Sequence, residues 1–303
     1  MTCPESFRFT TPNGFALHAS IWPNAGMPSC VLLHGFGHHS RIWDPLARRL
    51  HADYEVVALD FRGHGDSAWD RQSDYSHETL QQDLQALISA LKLTNFHLLG
   101  HSLGARIAML YAAEQPQQVS SLTIMDTGPE ASRKGIQRIR SEAANQPAFF
   151  ADMAEFQRWL RTRHPLARAS GLQSLYEHGL QASGEQWRAK TDPAFVRELW
   201  RQDFAGAAND PDNLPLTQKL WQCLSKASCP TLVLKGQISS ILSRDVAKTM
   251  VEHYLVRGQL DVVPMAGHAV LLDNPDYCIA AISGFLGQQP HPGQTASLST
   301  RNG

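Results

Sequence analysis

The chain has almost no net charge: 27 lysines and arginines stand against 28 aspartates and glutamates, leaving −1. That balance gives no general attraction to nucleic acid or to an anionic membrane surface. Cysteine is also scarce. The five thiols, at positions 3, 30, 223, 229 and 278, are odd in number and form no C-x-x-C pair. They read as reduced thiols in a reducing, cytoplasmic compartment rather than as a disulfide frame or a zinc site. No H-x-x-x-H with an acidic partner lies on a helical stretch, and His38-His39 reads as a loop pair, so neither a metal nor another cofactor is expected. No apolar run approaches membrane-spanning length. Residues 1–6 lack the basic and apolar regions of a secretory leader. There is no internal repeat.

What is present is an ordinary globular composition, 43% hydrophobic and 18% charged over 303 residues. That length suits one large domain, or one domain with an inserted subdomain. Residues 7–10 and 15–22 flank Pro12-Asn13-Gly14, a hairpin signal. Compact apolar strands follow at 30–33, 56–59, 95–99 and 119–125, separated by helical patterns such as Leu80, Leu84, Leu87, Ile88 and Leu91. Strands alternating with helices predict an α/β fold, with a mostly parallel central sheet flanked by helices on both faces. From 128 to 220 the alternation stops. The stretch reads as mostly helical, holds Trp159, Trp187 and Trp200, ends at Trp221, and is broken by Gly184, Pro193, Pro211 and Pro215. Alternation resumes with strands at 231–234 and 260–263 and helices near 246–251 and 277–286. The expected organisation is a core of 1–127 and 221–287, a helical lid of 128–220 inserted after the sixth strand, and a disordered tail at 288–303.

Gly100-His101-Ser102-Leu103-Gly104 has the form G-x-S-x-G between a strand and a helix. A sharp turn there holds its central residue in a strained conformation and needs small residues two before and two after. The Ser102 hydroxyl then stands at a helix start, where free N–H groups favour developing negative charge. The side chain of His101, inside the same turn, is expected to point away from that hydroxyl. A serine hydroxyl is a weak nucleophile at neutral pH and needs a base.

With His34-Gly35-Phe36-Gly37, Asp60-Phe61-Arg62-Gly63-His64-Gly65-Asp66-Ser67 and Gly267-His268 in the same order and spacing, the chain resembles the α/β-hydrolase superfamily from the first hairpin to about Leu286. The resemblance implies Ser102 as nucleophile and His268 as its base. It implies an oxyanion hole from the backbone N–H groups of Phe36 and Leu103. The family's usual acid lies after the seventh strand, and there this chain departs from the pattern, with Ser239 and Ser240 in place of an aspartate. Three explanations stay open: the acid has moved to Asp126 at the end of the sixth strand, as in some haloalkane dehalogenases; Ser240 orients His268 in a Ser–His dyad; or the reaction has changed. The first is favoured; the bland alternative for Asp126 is a capping or turn carboxylate before Thr127-Gly128-Pro129.

The resemblance thus implies a cofactor-independent serine hydrolase cleaving an ester, lactone or thioester of a small-molecule substrate. A C–C bond hydrolase, a cofactor-free dioxygenase, a lyase and a catalytically altered binding protein are the alternatives. His34, Trp159 and Trp187 are candidates for the substrate pocket, although a tryptophan stripe is more often plain core. Arg133, Lys134, Arg138, Arg140, Arg158, Arg161, Arg163 and Arg168 make the first half of the insertion basic. That is either a solvated face or a sign of an acidic or carrier-tethered acyl substrate contacting Arg158 or Arg161. The oligomeric state has no signature in the sequence.

Overall fold

Runs such as Cys30-Val31-Leu32-Leu33 and Val56-Val57-Ala58-Leu59 are apolar at every position, which suits strands covered on both faces. The computed structural model describes residues 3–195 and 215–289. Its first half contains β1 (Glu5–Thr10), β2 (Ala16–Trp22), β3 (Ser29–Leu33), β4 (Glu55–Asp60), β5 (Phe96–His101) and β6 (Val119–Met125). The second half adds β7 (Phe149–Phe150), β8 (Leu180–Ser183), β9 (Gln186–Ala189), β10 (Thr231–Gly236) and β11 (Gly258–Val263). Eight of these strands form the main sheet in the order β1-β2-β4-β3-β5-β6-β10-β11. Only β2 runs against its neighbours; the other pairings are parallel.

The helices are α1 (Asp44–Leu50), α2 (His77–Ala90), α3 (Leu103–Glu114), α4 (Arg133–Ala144), α5 (Met153–Arg163), α6 (Ala169–His178), α7 (Leu216–Lys226), α8 (Arg244–Thr249), α9 (Val270–Asp273) and α10 (Pro275–Leu286). Successive strand residues feed opposite cores. Val31, Leu33, Val57 and Leu59 pack with the apolar faces of α2, α3 and α7. Cys30, Leu32, Val56 and Ala58 pack with α1 and α10. Burial at every strand position therefore follows from helices on both sides of the sheet. All five cysteines are free thiols. No helix among the described residues is long and apolar enough to cross a membrane.

Strand order decides where a site can form. From β3 the chain crosses to β4 on one side, and the next strand, β5, lies on the other. The loops leaving β3 and β5 diverge there and open a crevice at the carboxyl edge. Register aligns that edge: Leu33 pairs with Gly100, His101 with Met125, and Met125 with Leu234. Ser102 and Asp126 are thus each the first residue past neighbouring strand ends.

The stretch expected to be mostly helical carries α4, α5 and α6 but also a small antiparallel sheet, β7-β9-β8. Ser183 pairs with Gln186 across a two-residue turn. Gly184 opens that turn with φ +62°, so this glycine builds a hairpin rather than merely breaking a helix. The stretch is stitched to the loop after β4: Gly65 N–H donates to the Lys190 carbonyl at 2.9 Å and Asp192 N–H to the Gly63 carbonyl at 2.8 Å. A Lys190–Asp66 ion pair at 2.7 Å joins the same two segments. Trp200 lies outside the described residues, as do residues 290–303 of the expected tail.

Closest packing occurs where α3 crosses β3. A Cβ added to Gly104 would lie 2.2 Å from the Leu33 carbonyl oxygen and 2.6 Å from that of His34. Both obstacles are backbone, so they cannot swing aside. Gly104→Ala is expected to destabilise the fold by about 1–3 kcal/mol, the usual range for overpacking, read as a lower urea midpoint at unchanged slope. An unchanged midpoint would show that the α3–β3 contact is looser than described.

Candidate active site

The Ser102 backbone lies at φ 53°, ψ −116°, in a region that L-residues enter only when their surroundings force them. Two contacts hold it: its N–H donates to the Met125 carbonyl at 3.0 Å, and α3 begins at the next residue. Gly100 removes the remaining obstacle, since a Cβ there would sit 2.4 Å from the Gly104 carbonyl oxygen. The hydroxyl consequently projects from the start of α3 over the crevice.

His268 arrives from the loop after β11. Its Nε2 lies 2.9 Å from Ser102 Oγ and its Nδ1 lies 2.8 Å from Asp126 Oδ2. With Nδ1 protonated and donating to the carboxylate, Nε2 is left as the acceptor for the hydroxyl proton. Asp126 is fully buried and adopts φ 48°. Its N–H donates to the Leu234 carbonyl at 2.7 Å, so the residue folds in beneath the end of β10. Oδ1 accepts the Gly236 N–H at 2.8 Å, and Oδ2 also accepts the Ser239 hydroxyl. The Asp126 carboxylate therefore stands at the end of β6 while its donors besides His268 come from β10 and the loop beyond it.

Ser240 is not on the imidazole. Both ring nitrogens of His268 are engaged by Ser102 and Asp126, and the Ser240 carbonyl accepts from the Ser132 hydroxyl. The useful hydroxyl is that of Ser239, one residue earlier. Sequence alone could not choose between adjacent serines whose side chains leave a loop in different directions.

Phe36 stands on the wall of the same cavity as Ser102, and Leu103 follows the serine as the first residue of α3. Neither backbone N–H has a backbone acceptor among the described residues. Histidines set the loop that carries Phe36. Phe61 N–H donates to His34 Nε2 at 3.1 Å, which leaves the proton on Nδ1 to donate to the Gly35 carbonyl at 2.8 Å. Gly37 N–H donates to His64 Nε2 at 3.1 Å. Burial lowers the pKa of both rings, that of His64 to about 3, in keeping with neutral rings that accept these bonds.

The cavity over the hydroxyl measures about 60 Å³. Phe36, Ser102 and His268 line it from the core, and Arg138, Arg163 and His164 line it from the insert. His34, Trp159 and Trp187, the sequence candidates for this pocket, do not line it. His34 is buried behind the Phe36 loop, Trp159 packs on Phe150 and Phe156, and Trp187 is a partly exposed residue of β9. The arginines at the cavity are also not the expected ones. Arg158 and Arg161 are exposed, and Arg161 donates to the Tyr176 hydroxyl at 3.2 Å. Arg163, at the end of α5, and Arg138, in α4, line the cavity instead, a choice set by how the two helices pack and not by any local pattern.

His101 differs from expectation as well. Rather than pointing away from the hydroxyl, its ring lines the cavity, and Nε2 donates to the His268 carbonyl at 2.9 Å, tying the serine turn to the histidine loop. Gly35 makes the room: a Cβ there would meet His101 Nδ1 at 2.7 Å. Asp273 steadies the other side of that loop, accepting the Gly267 N–H at 2.8 Å.

His39, His64, His101 and His164 are all pushed down to about 3, chiefly by burial. In the unfolded chain each titrates at ~6.5. Between those values the unfolded chain binds protons that the folded chain does not. Stability therefore falls as pH is lowered through the window, and each ring steepens the fall by up to ~1.4 kcal/mol per pH unit. The urea midpoint is expected to drop steadily from ~pH 6.5 to ~pH 5; a midpoint that holds across that range would contradict neutral buried rings. At the carboxylate, Ser239→Ala is expected to lower turnover by about 10- to 150-fold, the worth of one hydrogen bond to a charged group. Ser240→Ala, measured in parallel, should leave turnover unchanged, and the reverse pattern would assign the orienting role to Ser240.

Residues 30–281 match the sequence model of the alpha/beta hydrolase family. The chain is 29% identical over 267 residues to a mouse (Mus musculus) protein named sn-1-specific diacylglycerol lipase ABHD11, covering 87% of this chain and 82% of that protein. It is 26% identical over 265 residues to 2-(acetamidomethylene)succinate hydrolase of Mesorhizobium japonicum, covering 86% and 88%. Among solved structures, an alpha/beta hydrolase from Novosphingobium aromaticivorans superposes with a TM-score of 0.78 at 26% identity, over 95% of this chain and 99% of that one.

Proposed function

Because the chain belongs to the alpha/beta hydrolase family, we propose that it cleaves ester-type bonds by transferring an acyl group to Ser102. The observation that carries this reading is the unbroken run of hydrogen bonds from Ser102 Oγ through His268 to the buried Asp126 carboxylate, at 2.9 and 2.8 Å. A turn carboxylate would need no such partner, and a protein that only binds its ligand would need no base beside the hydroxyl.

In this mechanism Ser102 Oγ attacks the carbonyl carbon of a carboxylic ester, lactone or thioester while its proton passes to His268 Nε2. Asp126 stabilises the imidazolium through Nδ1–H. The oxygen of the tetrahedral intermediate accepts the Phe36 and Leu103 N–H groups. When the intermediate collapses, the leaving alcohol or thiol takes the proton from Nε2, and the acyl group stays on Ser102. Water then loses a proton to Nε2 and attacks the acyl-enzyme, releasing the carboxylic acid and restoring the serine. Residues 128–220 act as a cap that selects the acyl group, supported by the presence of Arg138, Arg163 and His164 on the cavity wall.

Covalent labelling with a fluorophosphonate, mapped by mass spectrometry, tests the reading. Wild type should label at Ser102, and Asp126→Asn should label about 10³- to 10⁴-fold more slowly, as expected when the ring loses the partner that holds its tautomer. Folded wild type that resists the reagent would overturn the mechanism in favour of C–C bond cleavage, oxygenation or ligand binding.

A further inference from the structure

We propose that the acyl group accepted by Ser102 carries a carboxylate of its own, held by Arg138 and Arg163. This rests on the serine-hydrolase reading above and names its substrate class: monoesters or monothioesters of dicarboxylic acids.

The titratable groups on the cavity wall, Ser102 aside, are all arginine or histidine. They are His38, His101, Arg138, Arg163, His164 and His268, and among the described lining residues there is no aspartate or glutamate. The two arginines come from different helices of the insert, α4 and α5; Arg138 is exposed and Arg163 half-buried, and both line the cavity over Ser102. Arg163 is placed by its surroundings. Its Cζ sits 5.3 Å from the centre of the Trp159 ring, and its Nη2 lies 3.7 Å from where a Cβ on Gly37 would be, against the oxyanion loop. Both arginines have contacts within the protein as well. Five N–H donors on each guanidinium allow several acceptors at once.

A long neutral acyl chain fits this chamber poorly. It would lie beside two arginines, one of them half-buried, with only Phe36, Ile139, Ile241 and Ala269 to offer apolar contact. A carboxylate reverses the sign of that effect and takes bidentate, charge-assisted bonds from guanidinium. The field of the arginines is already felt inside the chamber. Burial lowers the pKa of both His38 and His164, and the charge of Arg163 lowers each further.

The test pairs two chromogenic esters of the same leaving group and similar length, the para-nitrophenyl monoester of glutaric acid and para-nitrophenyl pentanoate. Wild type should favour the glutarate ester in kcat/KM by about tenfold or more. Arg138→Gln and Arg163→Gln should each lower that preference by about 10- to 100-fold, mainly through KM. Arg158→Gln, at the exposed guanidinium earlier on α5, should leave the preference unchanged. Binding of free glutarate to Ser102→Ala, measured by calorimetry, gives a readout independent of turnover, and should be lost in the two cavity arginine variants. A wild-type preference for pentanoate, or a preference that neither arginine substitution alters, would overturn the proposal while fluorophosphonate labelling of Ser102 left the hydrolase reading standing. Arginine-dependent glutarate binding in a protein that does not label would separate the two in the other direction.

Discussion

The Asp126 carboxylate is the group on which the rest of the site is built. It is fully buried, and burying a carboxylate is costly unless donors surround it. Its donors come from three directions: the Gly236 backbone, the Ser239 hydroxyl and the His268 ring. One group therefore ties the ends of β6 and β10 to the loop that follows β11. Removing it would leave His268 with a single anchored nitrogen and would leave the Gly236 N–H without its acceptor. The geometry at Ser102 depends on that tie as much as on the strained turn itself.

A second constraint is steric and acts on the other side of the serine. α3 lies so close to β3 that only glycine fits at 104, and β5 turns so sharply that only glycine fits at 100. These close approaches bring the loop after β3 against the start of α3, and so bring Phe36 and Leu103 to the same end of the crevice. The same loop is braced from behind by His34 and His64, whose acceptor nitrogens bind backbone N–H groups of Phe61 and Gly37. Neutral histidine is well suited to that work because it offers an acceptor without a charge that would have to be paired in the interior.

Most of the fold was legible because each strand and helix declares itself locally. A run apolar at every position means a strand covered on both faces, as in Cys30–Leu33, and Leu80, Leu84, Leu87 and Ile88 mark one side of a helix. The insert was less legible: β8 and β9 are four residues each, too short for alternation to outweigh the helical segments around them, and only the turn at Gly184 marks them. In the site, Ser102 and His268 stand in recognisable motifs, whereas Asp126 has no motif and stood out only as an acid ending a strand. Ser239, His101, Arg138 and Arg163 reach the site through side-chain direction and helix packing. Those properties depend on residues far away in the chain, such as Gly35 clearing space for His101, and no local pattern records them.

The position of the acid on β6 has a consequence for how this protein can change. The loop after β10 contributes one hydroxyl to the carboxylate and otherwise forms part of the chamber wall, through Ile241. A segment that would ordinarily be tethered to proton transfer is here released to act as an adjustable surface. Under the proposed mechanism, substitutions along it beyond Ser239 can reshape which acyl groups are admitted while the groups that move protons stay on β5, β6 and the β11 loop. Beyond Ser239, the wall that this loop supplies and the proposed proton path thus lie on separate pieces of chain.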